Sequence, residues 1–309
     1  MSTEAIVSFQ VEAAQRADLA LAKRYPDAGR RRLAELFDAG RVRIVSGGVR
    51  RRAKKGDRVA PGDAIELLEE PATGDALRPV PEDAPLVVLV ERDDLIAIDK
   101  PAGMPSQPLR AGERGTAANA IAARWPECRE LHDGDPRDGG LVHRLDVGTS
   151  GVLIAARTPA AHRALREAFA AGRVDKAYLA ITCGRPAVHA VDAPLVQRGN
   201  RVRVDETDGL SAHTEFAVER TSATHALVRC VARTGRMHQV RAHLAVAGAP
   251  IAGDTLYGGA PLPPGAAGDT GFYLHAARVA LPPPFSLVVE APLPARFTAA
   301  LERASLTPP

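Results

Sequence analysis

The run Gly140-Leu141-Val142-His143-Arg144-Leu145-Asp146-Val147-Gly148-Thr149-Ser150-Gly151 sets a histidine, an arginine and one carboxylate close together. It then turns through two glycines into the apolar stretch Val152-Leu153-Ile154-Ala155-Ala156. An opposite charge within a few ångströms lowers a carboxylate's pKa by roughly 1–3 units and orients it. An ionised Asp at the end of a strand suits a nucleophile or a base. Arg144 precedes Asp146 by two, so in extended backbone both project from the same face. The bland reading of Asp146 is a turn or cap residue.

Such residues need elements to hold them. Strand-like runs recur at 95–99, 152–156, 177–182, 213–220, 226–232 and 287–290, with helical patterns at 116–124, 159–171 and 236–247. Strands in loose runs with helices interspersed point to α+β rather than a regular βαβ repeat. Upstream, alternation over 5–11 suggests a leading strand, and helical periodicity follows from Ala17 to Tyr25-Pro26 and from Arg30 to Ala39. Arg41–Val45 alternates basic and apolar residues as a half-exposed strand would, Ser46-Gly47-Gly48 reads as a turn, and 59–68 as a strand pair around Pro61-Gly62-Asp63. Residues 69–85, with four prolines and little apolar pattern, read as a linker, and Leu86–Val90 opens a larger domain running to residue 309. Gly258–Gly271 is expected to be a surface loop.

The length of 309 residues suggests two domains, and 45% hydrophobic with 25% charged residues is ordinary for a soluble globular chain. Cys128, Cys183 and Cys230 have no Cys-x-x-Cys spacing and read as reduced thiols of a cytoplasmic protein. No secretory signal is expected, and no apolar run reaches membrane-spanning length. No Gly-x-Gly-x-x-Gly or Walker loop follows a strand, so no nucleotide cofactor is expected, and His238 and His243 lack the spacing of a zinc site. Between Arg16 and Arg58 there are 14 Lys/Arg against 5 Asp/Glu, a local +9 in a chain of net +3, leaving −6 elsewhere. A basic segment of this kind suits a polyanion. Arg makes up 35 of the 40 basic residues, so richness alone means little; its concentration does.

The order His-Arg-Leu-Asp, two residues, then Thr-Ser-Gly resembles the signature of the RluA-type pseudouridine synthases, which isomerise uridine in ribosomal and transfer RNA. Three further segments share the resemblance: Ile98-Asp99-Lys100-Pro101-Ala102-Gly103, Asp175-Lys176-Ala177-Tyr178-Leu179-Ala180, and Arg233 to Leu244. It implies a mixed, largely antiparallel sheet with flanking helices over 86–309, no cofactor, and an RNA substrate. By the same likeness Asp146 is the catalytic residue, Arg144 helps to expel the target nucleotide, and Tyr178 stacks on the flipped uracil or serves as base. Arg236 is the best match for the basic residue that holds the aspartate, and Leu244 for the pocket wall. His238, Gln239 and Arg241 are expected to brace the fold or touch RNA backbone, and Lys100-Pro101 to be structural. Where the family commonly has Val-His-Pro after the Lys-Pro turn, this chain has Met104-Pro105-Ser106-Gln107-Pro108.

Residues 16–68 resemble the small α/β RNA-binding module named after ribosomal protein S-four, so 1–68 is taken as that domain. Gly29-Arg30 stands for its usual Ser-Arg and Ser46-Gly47-Gly48 for its Asn-Gly hairpin. Arg30, Arg31, Arg32, Arg41 and Arg43 are the candidate phosphate contacts. The protein is expected to be monomeric, without a membrane partner. Two other classes compete. A nucleoside or glycosidic-bond hydrolase would need paired carboxylates, with Asp133, Asp135 and Asp138 nearby in sequence. A non-catalytic RNA-binding or ribosome-assembly factor would need neither Asp146, Tyr178 nor Arg236.

Overall fold

The computed structural model describes residues 6–71, 74–262 and 271–306, without the side chains of Asp27, Arg30 and Arg31. The chain forms two compact units, Met1–Leu77 and Arg78–Pro309. In the first, β1 (Val7–Gln10), β2 (Gln15–Arg16), α1 (Ala17–Arg24) and α2 (Arg30–Asp38) are followed by β3 (Val42–Ser46), β4 (Val49–Arg52), β5 (Arg58–Val59) and β6 (Ala64–Leu67). Four strands make an antiparallel sheet in the order β1-β6-β3-β4. Leu21, Leu33, Phe37, Ile44 and Ile65 close the core beneath the two helices. The strand pair expected around Pro61-Gly62-Asp63 does not exist. β5 pairs with β2 and β6 lies between β1 and β3, because Ile65 and Leu67 find their apolar partners there rather than across a tight turn.

In the second unit the strands are β7 (Val87–Glu91), β8 (Leu95–Lys100), β9 (Ser150–Ala156), β10 (Asp175–Cys183), β11 (Ala190–Asp192), β12 (Leu195–Arg198), β13 (Arg201–Val204), β14 (His213–Thr221), β15 (His225–Ala232), β16 (Leu274–Leu281) and β17 (Leu287–Glu290). The helices are α3 (Ala117–Arg124), α4 (Pro159–Ala170), α5 (Gln239–Val246) and α6 (Ala295–Arg303). Nine strands form one sheet in the order β11-β14-β15-β10-β16-β9-β8-β7, with β17 on β16; β12 and β13 form a separate hairpin. Every pairing in the large sheet is antiparallel except β16 with β9.

β9 is buried along its whole length, and its period of two divides it between two cores. Val152, Ile154 and Ala156 pack with Leu165 and Ala168 of α4, while Leu153 and Ala155 pack with Ala117 and Ile121 of α3. On the α3 side a further cluster joins Ala180, Val228 and Cys230 to Val240 and Leu244 of α5. Tyr178 packs against both of these clusters, at the seam between the α3 and α5 halves of one sheet face. Residues 79–82, read from composition as linker, are tied to the second unit. Asn119 Nδ2 donates to Val80 O at 2.8 Å and Arg129 Nε to Pro79 O at 3.2 Å. Most of the expected loop 258–271 lies outside the described residues.

Candidate active site

Asp146 sits in the loop that enters β9. Leu141 bridges to Ala155, and Ile154 N donates to His143 Nε2 at 3.1 Å, so the upstream end of the loop is stitched to the strand it leads into. His143 stacks on Phe169 with centroids 4.6 Å apart, and burial pushes its pKa down to about 3. The ring is therefore neutral and structural. Ser106 Oγ donates to Leu145 O at 2.8 Å and accepts from Leu145 N at 3.0 Å. Asp146 O accepts from Thr149 N at 3.0 Å, closing a turn at Gly148. Residues 144–146 are loop rather than strand.

Lys100 completes the frame. Its side chain is fully buried, and Nζ donates to Pro101 O (2.9 Å), Met104 O (2.8 Å) and Val147 O (3.4 Å), while Gly103 N donates to Val147 O at 2.7 Å. Burial lowers the ammonium's pKa to about 8, against the raising charges of Asp146 and Asp99. The Lys-Pro turn thus fixes the residue next to Asp146.

The cation on Asp146 is Arg241, not Arg236. Arg241 Nη1 donates to Asp146 Oδ2 at 3.0 Å, and its Nε and Nη2 hold both oxygens of Asp254 at 2.7 and 2.8 Å. Arg236 is exposed and its Nε donates to Ser211 O at 3.0 Å. The helical pattern was expected from residue 236, but α5 begins at Gln239. Arg236 therefore lies in the preceding turn, and Arg241 in the first helical turn faces inward. In the sequence Arg241 reads only as a residue that braces the fold or touches RNA backbone, and its partner Asp254, thirteen residues on, carries no signal. The guanidinium also lies 4.2 Å from the centroid of Phe272 and 5.1 Å from that of Tyr257. Side-chain exposure is 7% for Arg241 and 1% for Asp254 against 26% for Asp146, so Asp146 is the open end of the triad. His238 Nε2 stands 3.9 Å from Asp146 Oδ2.

Tyr178 is half-buried on β10, opposite Cys230 and Ala276, at a register shift in the β10–β16 ladder. Burial, then the charge of Asp146, raises the phenol above its usual range. Leu244 is fully buried in the cluster against which Tyr178 packs. The Arg144 side chain is exposed and makes no hydrogen bond to the described residues. Asp135 is held by Arg137, and burial pushes the pKa of Asp138 up to about 6.

In the first unit, Arg32 is half-buried on α2, and Arg41 and Arg43 lie at β3, with Arg41 3.4 Å from Glu69. The side chains of Arg30 and Arg31 lie outside the described residues. No helix among the described residues is long and apolar enough to cross a membrane.

The mixed α+β unit holds one oriented, part-open aspartate whose charge is felt by a half-buried tyrosine, and the comparisons name the class. Residues 94–246 match the RNA pseudouridylate synthase family. A ribosomal large subunit pseudouridine synthase D of Xanthomonas campestris is 36% identical over 262 residues, covering 84% of this chain and 76% of the relative. One from Yersinia pestis is 32% identical, covering 83% and 77%. Among solved structures, human RNA pseudouridylate synthase domain containing 4 superposes with a TM-score of 0.57 at 25% identity, covering 72% of this chain and 94% of that one. The chain belongs to the RNA pseudouridine synthase family and is an RNA-modifying isomerase.

Proposed function

We propose that this enzyme converts uridine to pseudouridine in large-subunit ribosomal RNA, as a cytoplasmic monomer, with Asp146 as its reacting carboxylate. The observation that carries the reading is the Asp254–Arg241–Asp146 chain. A buried acid fixes a base, which fixes an acid that retains an open face. Substrate and product are isomers, so the chemistry consumes no co-substrate. The bond from uracil nitrogen-1 to the anomeric carbon breaks, the carbon-5 bond forms, carbon-5 loses its proton and nitrogen-1 gains one. Asp146 attacks the anomeric carbon or takes the neighbouring sugar proton; both routes need the same ionised, oriented oxygen. With its pKa raised, Tyr178 enters as a neutral phenol. Its ring then serves as a platform beneath the flipped base, from which the phenol oxygen is the competing candidate to remove the carbon-5 proton.

Arg144, exposed two residues before Asp146, is suited to enter the space that the flipped nucleotide leaves, at a cost of a few kcal/mol that is smallest in loops. Leu244 supports the apolar side of the pocket behind Tyr178. The first unit, resembling the S-four module, grips RNA backbone through Arg30, Arg31, Arg32, Arg41 and Arg43. The ribosomal target follows the relatives, which are ribosomal large subunit pseudouridine synthases; transfer RNA is the competing substrate.

Asp146→Asn should abolish pseudouridine formation while RNA affinity changes by less than about threefold, since it removes a charge but no bulk. Pseudouridine maps of total RNA from cells with and without the gene decide the target. Full activity of the Asn variant refutes the role of Asp146, and a missing transfer RNA site with intact ribosomal sites refutes the target.

A further inference from the structure

The start of α5 is conformationally unusual. Its N-cap is His238, whose φ of 52° places a residue with a Cβ in left-handed backbone. That conformation costs an L-residue roughly 1–2 kcal/mol. N-caps ordinarily hold Ser, Thr, Asp or Asn in extended backbone, where the side chain accepts from the first turn, and His238 makes no such hydrogen bond. Nothing about starting a helix rewards a histidine here. An outlier of this kind persists where surrounding contacts hold it, and is a pointer to function.

The surroundings of the ring supply the reason. His238 Nδ1 lies 3.0 Å from Tyr257 Oη, which accepts from Val202 N at 3.0 Å, and the two rings meet edge to face at 5.8 Å. Because the phenol oxygen already receives the Val202 amide hydrogen, its own hydrogen can go to His238 Nδ1. The imidazole hydrogen is then on Nε2, facing Asp146 Oδ2 at 3.9 Å. The other tautomer would send two hydrogens to Tyr257 Oη and turn a bare lone pair toward a carboxylate. Arg241 Nη1 meets the same Oδ2, and no described residue hydrogen-bonds Asp146 Oδ1.

We propose that His238 is a positioning residue for Asp146: a neutral imidazole, its tautomer set by Tyr257, that joins Arg241 on Oδ2 and thereby leaves Oδ1 as the oxygen that works on the nucleoside. At 3.9 Å the contact is longer than a hydrogen bond. Catalytic hydrogen bonds often close only when substrate is bound. Burial lowers the imidazole's pKa, and the nearby charge of Asp146 opposes that shift. The inference rests on Asp146 being the reacting carboxylate.

The test uses the full-length protein and two substitutions that separate backbone from ring. Asn tolerates left-handed backbone and is too short to reach Asp146; Gln carries an amide N–H near the Nε2 position. His238→Asn should lower kcat about tenfold or more with KM within about threefold, at unchanged unfolding temperature, and His238→Gln should recover much of that loss. A wild-type kcat in His238→Asn, or a change confined to KM, overturns the proposal. Nitrogen-15 spectra of the wild-type imidazole at neutral pH should show hydrogen on Nε2 and not on Nδ1; the reverse tautomer or an imidazolium overturns it without any variant. Asp146→Asn separates the two claims. If it is active, the catalytic reading fails. If it is silent while His238→Asn is fully active, only the positioning role fails.

Discussion

At the scale of single residues, the chain shows how a motif can identify a role and mislead about its holder. The signature around Asp146 and the Lys-x-Tyr setting of Tyr178 were local, and Tyr178 packs against the cluster that holds Leu145, the residue before Asp146. The cation was not local. Arg236 and Arg241 lie five apart, and choosing between them requires knowing that α5 begins at Gln239 and that Asp254 lies beneath it. The consequences differ sharply. Removing one partner of a buried ion pair costs roughly 3–5 kcal/mol, because the other charge is left desolvated. Arg241→Ala should therefore destabilise the protein on that scale. Arg241→Lys should keep the charge yet lose the two-pronged grip on Asp254 and most of the kcat. Arg236→Ala, at an exposed position, should stay within about 0.5 kcal/mol of wild type. Denaturant unfolding and pseudouridine formation on the three proteins check this; equal damage from Arg236→Ala would return the clamp to that residue.

At the scale of elements, periodicity located β8, β9, β10, β14, β15 and β17 and three of the four helices of the second unit within a few residues, since each presents an apolar face at its own period. It missed β16, whose sequence Leu-His-Ala-Ala-Arg-Val-Ala-Leu has no clean alternation. Buried between β10 and β9, this strand is specified by partners far away in sequence. It also missed the β12–β13 hairpin and α6. The β16–β9 contact is the sheet's one parallel pairing, and it starts at Ser150 and Gly151, immediately after the Asp146 loop. Gly151 has φ +111°, and a Cβ there would stand 2.2 Å from Ala276 O. A backbone atom cannot swing aside as a side-chain end can. Gly151→Ala should cost about 3 kcal/mol or more, from backbone strain and the clash together. It should lower catalysis as well, because the loop bearing Asp146 hangs from that strand. An Ala variant with wild-type unfolding and activity would show that the β9–β16 junction yields more easily than its geometry implies.

At the scale of the whole molecule, the basic segment changes meaning once the compact units are known. Residues 16–58 carry +9, yet the unit Met1–Leu77 holds 14 basic and 12 acidic residues, a net of only +2. Composition counts charge without knowing where the fold puts it. Three exposed arginines of β4 are already engaged: Arg50 with Glu66 at 3.0 Å, Arg51 with Asp57, and Arg52 Nη2 with the carbonyl of Asp38 at 2.9 Å. If the unit grips RNA, it must do so through the placement of its cations rather than through net attraction. Each phosphate contact releases counterions and contributes about 0.7–0.9 to the slope of log affinity against log salt. The double substitution of Arg41→Ala with Arg43→Ala should then flatten that slope by about 1–2. Affinity should be weaker at low salt and converge with wild type at high salt, with kcat at saturating RNA unchanged, since neither residue belongs to the unit that bears Asp146. Titrating both proteins with one RNA across a salt series reads the slopes directly. Parallel lines would mean that these arginines touch no phosphate, and the catalytic unit alone would then have to account for the binding.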